Sequence, residues 1–231
     1  MVLLVPGMSI PPTNNLVGKG GFMPTTTITK YKTIMADPPW DIGQKNGRSD
    51  RGLGAERHYK LMSLEQIKAM PVSNIVADDA HCWLWVTNAT LRYGYEVLEA
   101  WGFTPRSVLT WCKPRIGLGN YLRNSTEHLL LGTRGKAPVN YKGQPTWMFA
   151  PLQEHSHKPE EQFAVIERIS EAPYLELFAR RSRPGWDAWG NEIASDIELD
   201  GYPVPRYSQK YGEYMEAQAL ESLKHKSGVV R

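Results

Sequence analysis

Cysteine is scarce in this chain. Its 231 residues include only Cys82 and Cys112, with no Cys-x-x-Cys pair and no Cys/His cluster. That excludes the usual structural zinc sites and a disulfide scaffold. Each cysteine sits in an apolar, strand-like run, which predicts two buried free thiols in a reducing cytoplasm. His155 and His157 stand two apart without a third ligand, so no metal is expected. Long apolar runs are also missing. No stretch approaches the roughly 20 residues needed to span a membrane. The opening MVLLVPG lacks a basic region before it and is broken by Pro6 and Gly7, so it does not read as a signal peptide. Nor is there a strong charge imbalance: 27 basic against 24 acidic residues leave a net charge of +3. Such a balance permits a polyanionic partner only where the basic residues cluster. Phe is sparse at five, whereas Trp numbers eight and Tyr eleven. Rings with one polar edge suit base stacking, although most of them must serve the core.

What is present reads as one α/β domain. Residues 1–28 are rich in Pro, Gly and Thr, carry no acid, and read as an irregular N-terminal arm. A domain-sized core follows over 29–200, and 201–231 reads as an extension with a helix near 211–226. Strands are expected at 31–36, 80–87, 104–112, 126–132, 174–179 and 186–190. Helices are expected after the capping box Ser63-Leu64-Glu65-Gln66, over 90–101 closed by Gly102, and over 159–171. Alternation of this kind predicts a mostly parallel sheet with helices on both faces, and ligands outside the carboxyl ends of its strands.

Asp37-Pro38-Pro39-Trp40 lies at such an end. Methylating an exocyclic amine demands something specific, because the adenine amino nitrogen shares its lone pair with the ring. A carboxylate and a backbone carbonyl that accept its two N–H groups favour the pyramidal, nucleophilic geometry. Pro-Pro supplies carbonyls without competing N–H groups, and Trp40 supplies a stacking face for a flipped or single-stranded base. From these residues alone a plain proline-stiffened turn is an equal alternative.

The segment MADPPW resembles the catalytic motif of the adenine N6-methyltransferases typified by the eukaryotic mRNA adenosine methyltransferase catalytic subunit, a family with bacterial and phage DNA relatives. EHLLLGTRG (127–135), Ser156-His157-Lys158-Pro159, LELFAR (175–180) and Trp189-Gly190-Asn191-Glu192 resemble further segments in the family's order. The resemblance spans roughly 31–195. It implies a Rossmann-like fold with the catalytic motif ahead of the cofactor motifs, S-adenosyl-L-methionine as cofactor, and no metal. It implies that Asp37, Pro38, Pro39 and Trp40 are catalytic. It places Ala36, Asp37, Ser156, Lys158, Phe178, Arg180, Asn191 and Glu192 around the cofactor, with Lys158 at its carboxylate end and Glu192 at the ribose. Plain alternatives stay open: Lys158 as a solvated helix-entry lysine, Glu192 as an exposed strand-end acid, Glu176 as structural. The chain has Ala179-Arg180-Arg181-Ser182 where many methyltransferases carry a glycine-rich loop, a departure typical of the family.

Two basic, glycine-bearing loops are candidates for nucleic-acid contact. One holds Lys45, Arg48, Arg51, Arg57 and His58; the other holds Lys113, Arg115, Tyr121, Arg123 and Asn124. Solvated loops are the plain alternative. Glu127 is read as an anchor of the second loop and His128 as structural. The expected activity is adenine N6 methylation of DNA in a prokaryotic or phage-host cytoplasm. RNA adenine, cytosine N4 in DNA and a silent nucleic-acid-binding partner are the competing readings. A homodimer or heterodimer is compatible with each.

Overall fold

The computed structural model describes residues 30–41, 61–117, 119, 121–153 and 157–202. The expected arm at 1–28 and helix at 211–226 lie outside these residues. In chain order the elements are β1 (Tyr31–Ala36), α1 (Leu64–Lys68), β2 (Val76–Val86), α2 (Leu91–Ala100), β3 (Thr104–Cys112), β4 (Thr126–Arg134), β5 (Trp147–Phe149), α3 (Glu161–Ile169), β6 (Tyr174–Leu177) and β7 (Trp186–Trp189). The strands form one sheet in the order β5-β3-β4-β2-β1-β6-β7. Every neighbouring pair is parallel except the two made by β4, which is antiparallel to both β2 and β3.

Two cores flank the sheet, because alternate side chains of a strand point to opposite faces. Ile34, Leu84, Val86 and Leu130 pack with Ile67 of α1 and with Val97, Leu98 and Trp101 at α2. Met35, Trp83, Trp85, Trp111 and Leu129 pack with Phe163, Val165, Ile166 and Ile169 of α3. The sheet therefore carries helices on both faces, a Rossmann-like α/β arrangement. Helix α1 starts where expected: Ser63 Oγ accepts the Gln66 N–H at 3.2 Å and the Gln66 side chain accepts the Ser63 N–H at 2.9 Å. Trp101 is fully buried, and its Nε1 donates to the Ile67 carbonyl at 2.9 Å, tying α2 to α1. Truncating it to alanine would cost about 3–5 kcal/mol.

Four features differ from the sequence expectation. Strand β2 begins at Val76, ahead of two exposed aspartates that interrupt its apolar run. Strand β5 is only three residues long, too short for periodicity to reveal. The direction of β4 is likewise invisible to periodicity, which is the same for either orientation. Of the two cysteines, Cys82 is buried but Cys112 is only half-buried.

The order of the strands decides where a ligand can sit. Chain connections leave β1 toward β2 on one side, while β6 arrives from a later segment on the other, so the sheet switches direction between β1 and β6. A crevice opens at such a switch point. Ala36 pairs with Leu177 at the last step of both strands, so Asp37 and Phe178 leave the sheet side by side.

Candidate active site

The Asp-Pro-Pro-Trp segment forms a crest on the carboxyl end of β1. Its turn is tight: the Pro38 carbonyl accepts the Trp40 N–H at 3.0 Å, and the Pro39 carbonyl accepts the Met62 N–H at 2.8 Å. A carbonyl has two lone pairs, so Pro38 retains acceptor capacity. Trp40 packs on the α2-side core, and its Nε1 donates to the Trp85 carbonyl at 3.2 Å.

Asp37 faces the other way, into a cavity of about 290 Å³ on the α3 side, next to Met35, Lys158, Phe163, Glu176 and Phe178. That volume is close to the lower end of the roughly 300–1,000 Å³ usual for small-molecule sites. Lys158 reaches back to the crest. Its Nζ donates to Asp37 Oδ2 at 2.7 Å, lies 3.5 Å from Glu127 Oε2, and sits 5.4 Å from the centre of the Trp85 ring. Glu127 also accepts from Lys113. Burial alone would lower the Lys158 pKa, but the carboxylates of Asp37 and Glu127 outweigh it and hold the ammonium above its ordinary range. Burial pushes Glu127 upward, yet Lys158 and Lys113 together hold its carboxyl below the usual range. The result is a fixed chain of alternating charges: Asp37, Lys158, Glu127, Lys113. Glu127 anchors the β3–β4 loop as expected, and in addition it positions Lys158, a role its sequence context did not show.

Glu176 was legible only as a structural residue of β6. In the fold its register partner is Met35, and it lines the cavity. Burial first, then the nearby charges of Asp37 and Glu160, push its pKa up to about 7. The neighbouring Phe178 adopts φ 65°, a left-handed conformation rare for a residue with a side chain. That turn aims its ring into the cavity and edge-on to Trp189, with centroids 5.4 Å apart. A bulky residue here performs the bend that glycine performs in a glycine-rich loop. Glycine is needed one strand over: a Cβ on Gly190 would stand 2.0 Å from the Ala179 carbonyl oxygen.

The other expected site residues fall in several places. Arg180 lines the cavity, and its Nε lies 3.9 Å from Glu192 Oε1. Asn191 and Glu192 follow β7 and are half-buried; neither is among the residues that line the cavity. Ala36 is fully buried beneath the crest. Ser156 and the whole first basic set, Lys45, Arg48, Arg51, Arg57 and His58, lie outside the described residues. In the second set Arg115, Tyr121, Arg123 and Asn124 are exposed, while Lys113 is half-buried against Glu127. Among the described residues no group of three or more His, Cys, Asp or Glu side chains could hold a metal ion, and no helix is long and apolar enough to cross a membrane.

Known proteins are similar to this chain in sequence. The chain is 30% identical over 202 residues to an N(6)-adenosine-methyltransferase MT-A70-like protein of Drosophila melanogaster, covering 82% of this chain and 31% of that protein. It is 29% identical to the human N(6)-adenosine-methyltransferase catalytic subunit METTL3, covering 82% of this chain and 33% of that one. It therefore spans about a third of these curated relatives. It is also 30% identical over 192 residues to the type II methyltransferase M.MunI of Mycoplasma sp, covering 74% of this chain and 81% of that protein. Residues 31–192, from the first strand to the end of the Trp-Gly-Asn-Glu segment, match MT-A70 as a family. With its crest, its switch-point cavity and these segments in order, this chain belongs to the MT-A70 family of methyltransferases.

Proposed function

We propose that the chain is an S-adenosylmethionine-dependent methyltransferase acting on the N6 amino group of adenine in DNA. The observation that carries this reading is the position of Asp37. It stands on a crest with a small-molecule-sized cavity on one side and half-buried Trp40 packed on the other, and Lys158 holds its carboxylate at 2.7 Å.

The side chains around the cavity fit the cofactor's chemistry. Lys158 matches a carboxylate, Asp37 and Glu176 match cationic groups, and Arg180, which lines the cavity with Glu192 Oε1 3.9 Å from its Nε, brings a carboxylate within reach of ribose hydroxyls. When bound, S-adenosylmethionine supplies an electrophilic methyl group. The chain's own residues do the rest by placement. The Asp37 carboxylate and the free lone pair of the Pro38 carbonyl accept the two N–H groups of the amine, and Trp40 stacks on the base. No covalent link to the protein is required, and catalysis is positioning and electrostatics.

The extent of the M.MunI match, 81% of that protein, supports DNA. RNA is the second reading, supported by relatives named as adenosine methyltransferases that match over 82% of this chain. Buried Cys82 and the absence of a disulfide between described cysteines fit the cytoplasmic setting we propose with it. The test is transfer of labelled methyl to DNA and RNA oligonucleotides, followed by identification of the modified nucleoside. N6-methyladenine in DNA is the expected product. Label in RNA alone moves the assignment to the second reading, and label in cytosine overturns both.

A further inference from the structure

Strand β5 leaves its largest side chains in water. Met148 is buried, but Trp147 and Phe149 are 58% and 63% exposed. Two exposed rings on an edge strand mark a surface with a use. The register says which surface. Trp147 lies opposite Thr110 and Phe149 opposite Cys112, while Met148 pairs with Trp111. Trp111 and Met148 belong to the α3-side core, so both exposed rings stand on the α2 side.

That side leads to the crest. Moving from β5 toward β1, Thr110 Oγ1 lies 3.1 Å from His128 Nδ1, and His128 Nε2 lies 3.0 Å from Asn88 Oδ1. Asn88 follows β2, and beyond it Trp40 packs on the same side. The path crosses four strand spacings, on the order of 19 Å, long enough for several nucleotides. The cavity lies on the α3 side of the crest, so a strand arriving this way reaches Trp40 without crossing the cavity.

Charge favours a polyanion. The segment 113–125 contains Lys113, Arg115 and Arg123 and no carboxylate, and 145–153 carries no charge at all. With Lys113 tied to Glu127, Arg115 and Arg123 remain exposed beside Tyr121, which is fully exposed. Flat rings interleaved with cations are the pattern of single-strand binding surfaces. Ile116 and Leu122, 70% and 83% exposed on the same loop, would serve a protein partner better, and such a partner would show as added mass in solution.

We infer that Trp147 and Phe149 form a stacking shelf for unpaired bases beside the target, so that the substrate crosses the α2 side as a single strand. The inference rests on the methyl-transfer reading and adds the strandedness and the path. A base within a duplex shows only its edge, and its faces are covered by its neighbours, so a duplex cannot use the shelf.

The test measures binding of labelled single-stranded DNA and of the matching duplex by fluorescence anisotropy, with light scattering to give mass. W147L/F149L keeps apolar area but removes the rings; W147F/F149Y keeps rings. The leucine pair should bind the single strand between about fivefold and a hundredfold more weakly, raise KM more than it lowers kcat, and leave duplex binding and mass alone. The aromatic pair should bind as the unaltered chain does. Unchanged single-strand affinity in the leucine pair overturns the shelf. A fall in mass in that pair overturns it too, and assigns the rings to a protein interface. In either of these cases methyl transfer by the unaltered chain still stands or falls on its own assay. Both variants change exposed residues, and a shared thermal midpoint with the unaltered chain verifies their folding.

Discussion

Lys158 donates to the carboxylate of Asp37 at 2.7 Å across 121 residues of sequence. The bond joins the crest at the end of β1 to the segment that opens α3, and it fixes one carboxylate oxygen. It also explains why neither residue is isolated in its pocket.

Replacing Asp37 with Ala should abolish methyl transfer, and Asp37→Asn should reduce kcat by about a hundredfold or more, since one aimed polar contact in a reacting site is worth that much. Titration calorimetry with S-adenosylmethionine should still register binding to both. Near-normal transfer by the alanine variant would remove Asp37 from the chemistry.

Glu127→Gln withdraws a charge shared by Lys158 and Lys113. Lys158 then has Asp37 as its remaining ionic partner, and the β3–β4 loop loses its tether. KM for the oligonucleotide should rise severalfold with a smaller drop in kcat, read from steady-state methyl transfer. Equal losses in cofactor affinity and kcat, with KM unmoved, would contradict this role.

Glu176 makes stability depend on pH. Its folded-state pKa, about 7, lies above the ordinary value of 4.5. The native state thus keeps a proton that the unfolded chain releases. This contribution is fully present below about pH 4.5 and is lost as pH rises through about 7. Urea midpoints of the ligand-free chain should fall from pH 5 to pH 7.5, and Glu176→Gln should flatten that slope. A slope identical in the variant would be evidence against it.

Gly190→Ala should destabilise the fold by about 2 kcal/mol or more. The added Cβ would meet backbone, with the Ala179 oxygen at 2.0 Å and its nitrogen at 2.7 Å, so β7 must move from β6 at the cavity's edge. A thermal midpoint within a degree of the unaltered chain would show that the two strands part easily there.

The residues differ in how much of their role was readable beforehand. Asp37 and Lys158 stand in short segments whose residue types state their chemistry, and the structure brings them together. Glu176 hid behind alternation. In Tyr-Leu-Glu-Leu the two leucines are buried and the acid half-buried, a pattern that reads as core and solvent, whereas here the second face is the cavity wall. Trp147 and Phe149 hid because three residues carry no period, and because exposure depends on β5 being an edge strand. Arg115, Tyr121 and Arg123 were legible as a basic, ring-bearing loop, but the strand beside them was not.

The reversed strand β4 has an evolutionary corollary. Because β3 and β4 form a hairpin, their connection turns back at the same end of the sheet that carries Asp37. A hairpin tip tolerates insertion and deletion better than the elements it joins. Its length and composition can therefore drift while the crest, the switch point and the cavity stay as they are. The fold thus keeps its most variable connection apart from the segments that hold Asp37 and Lys158.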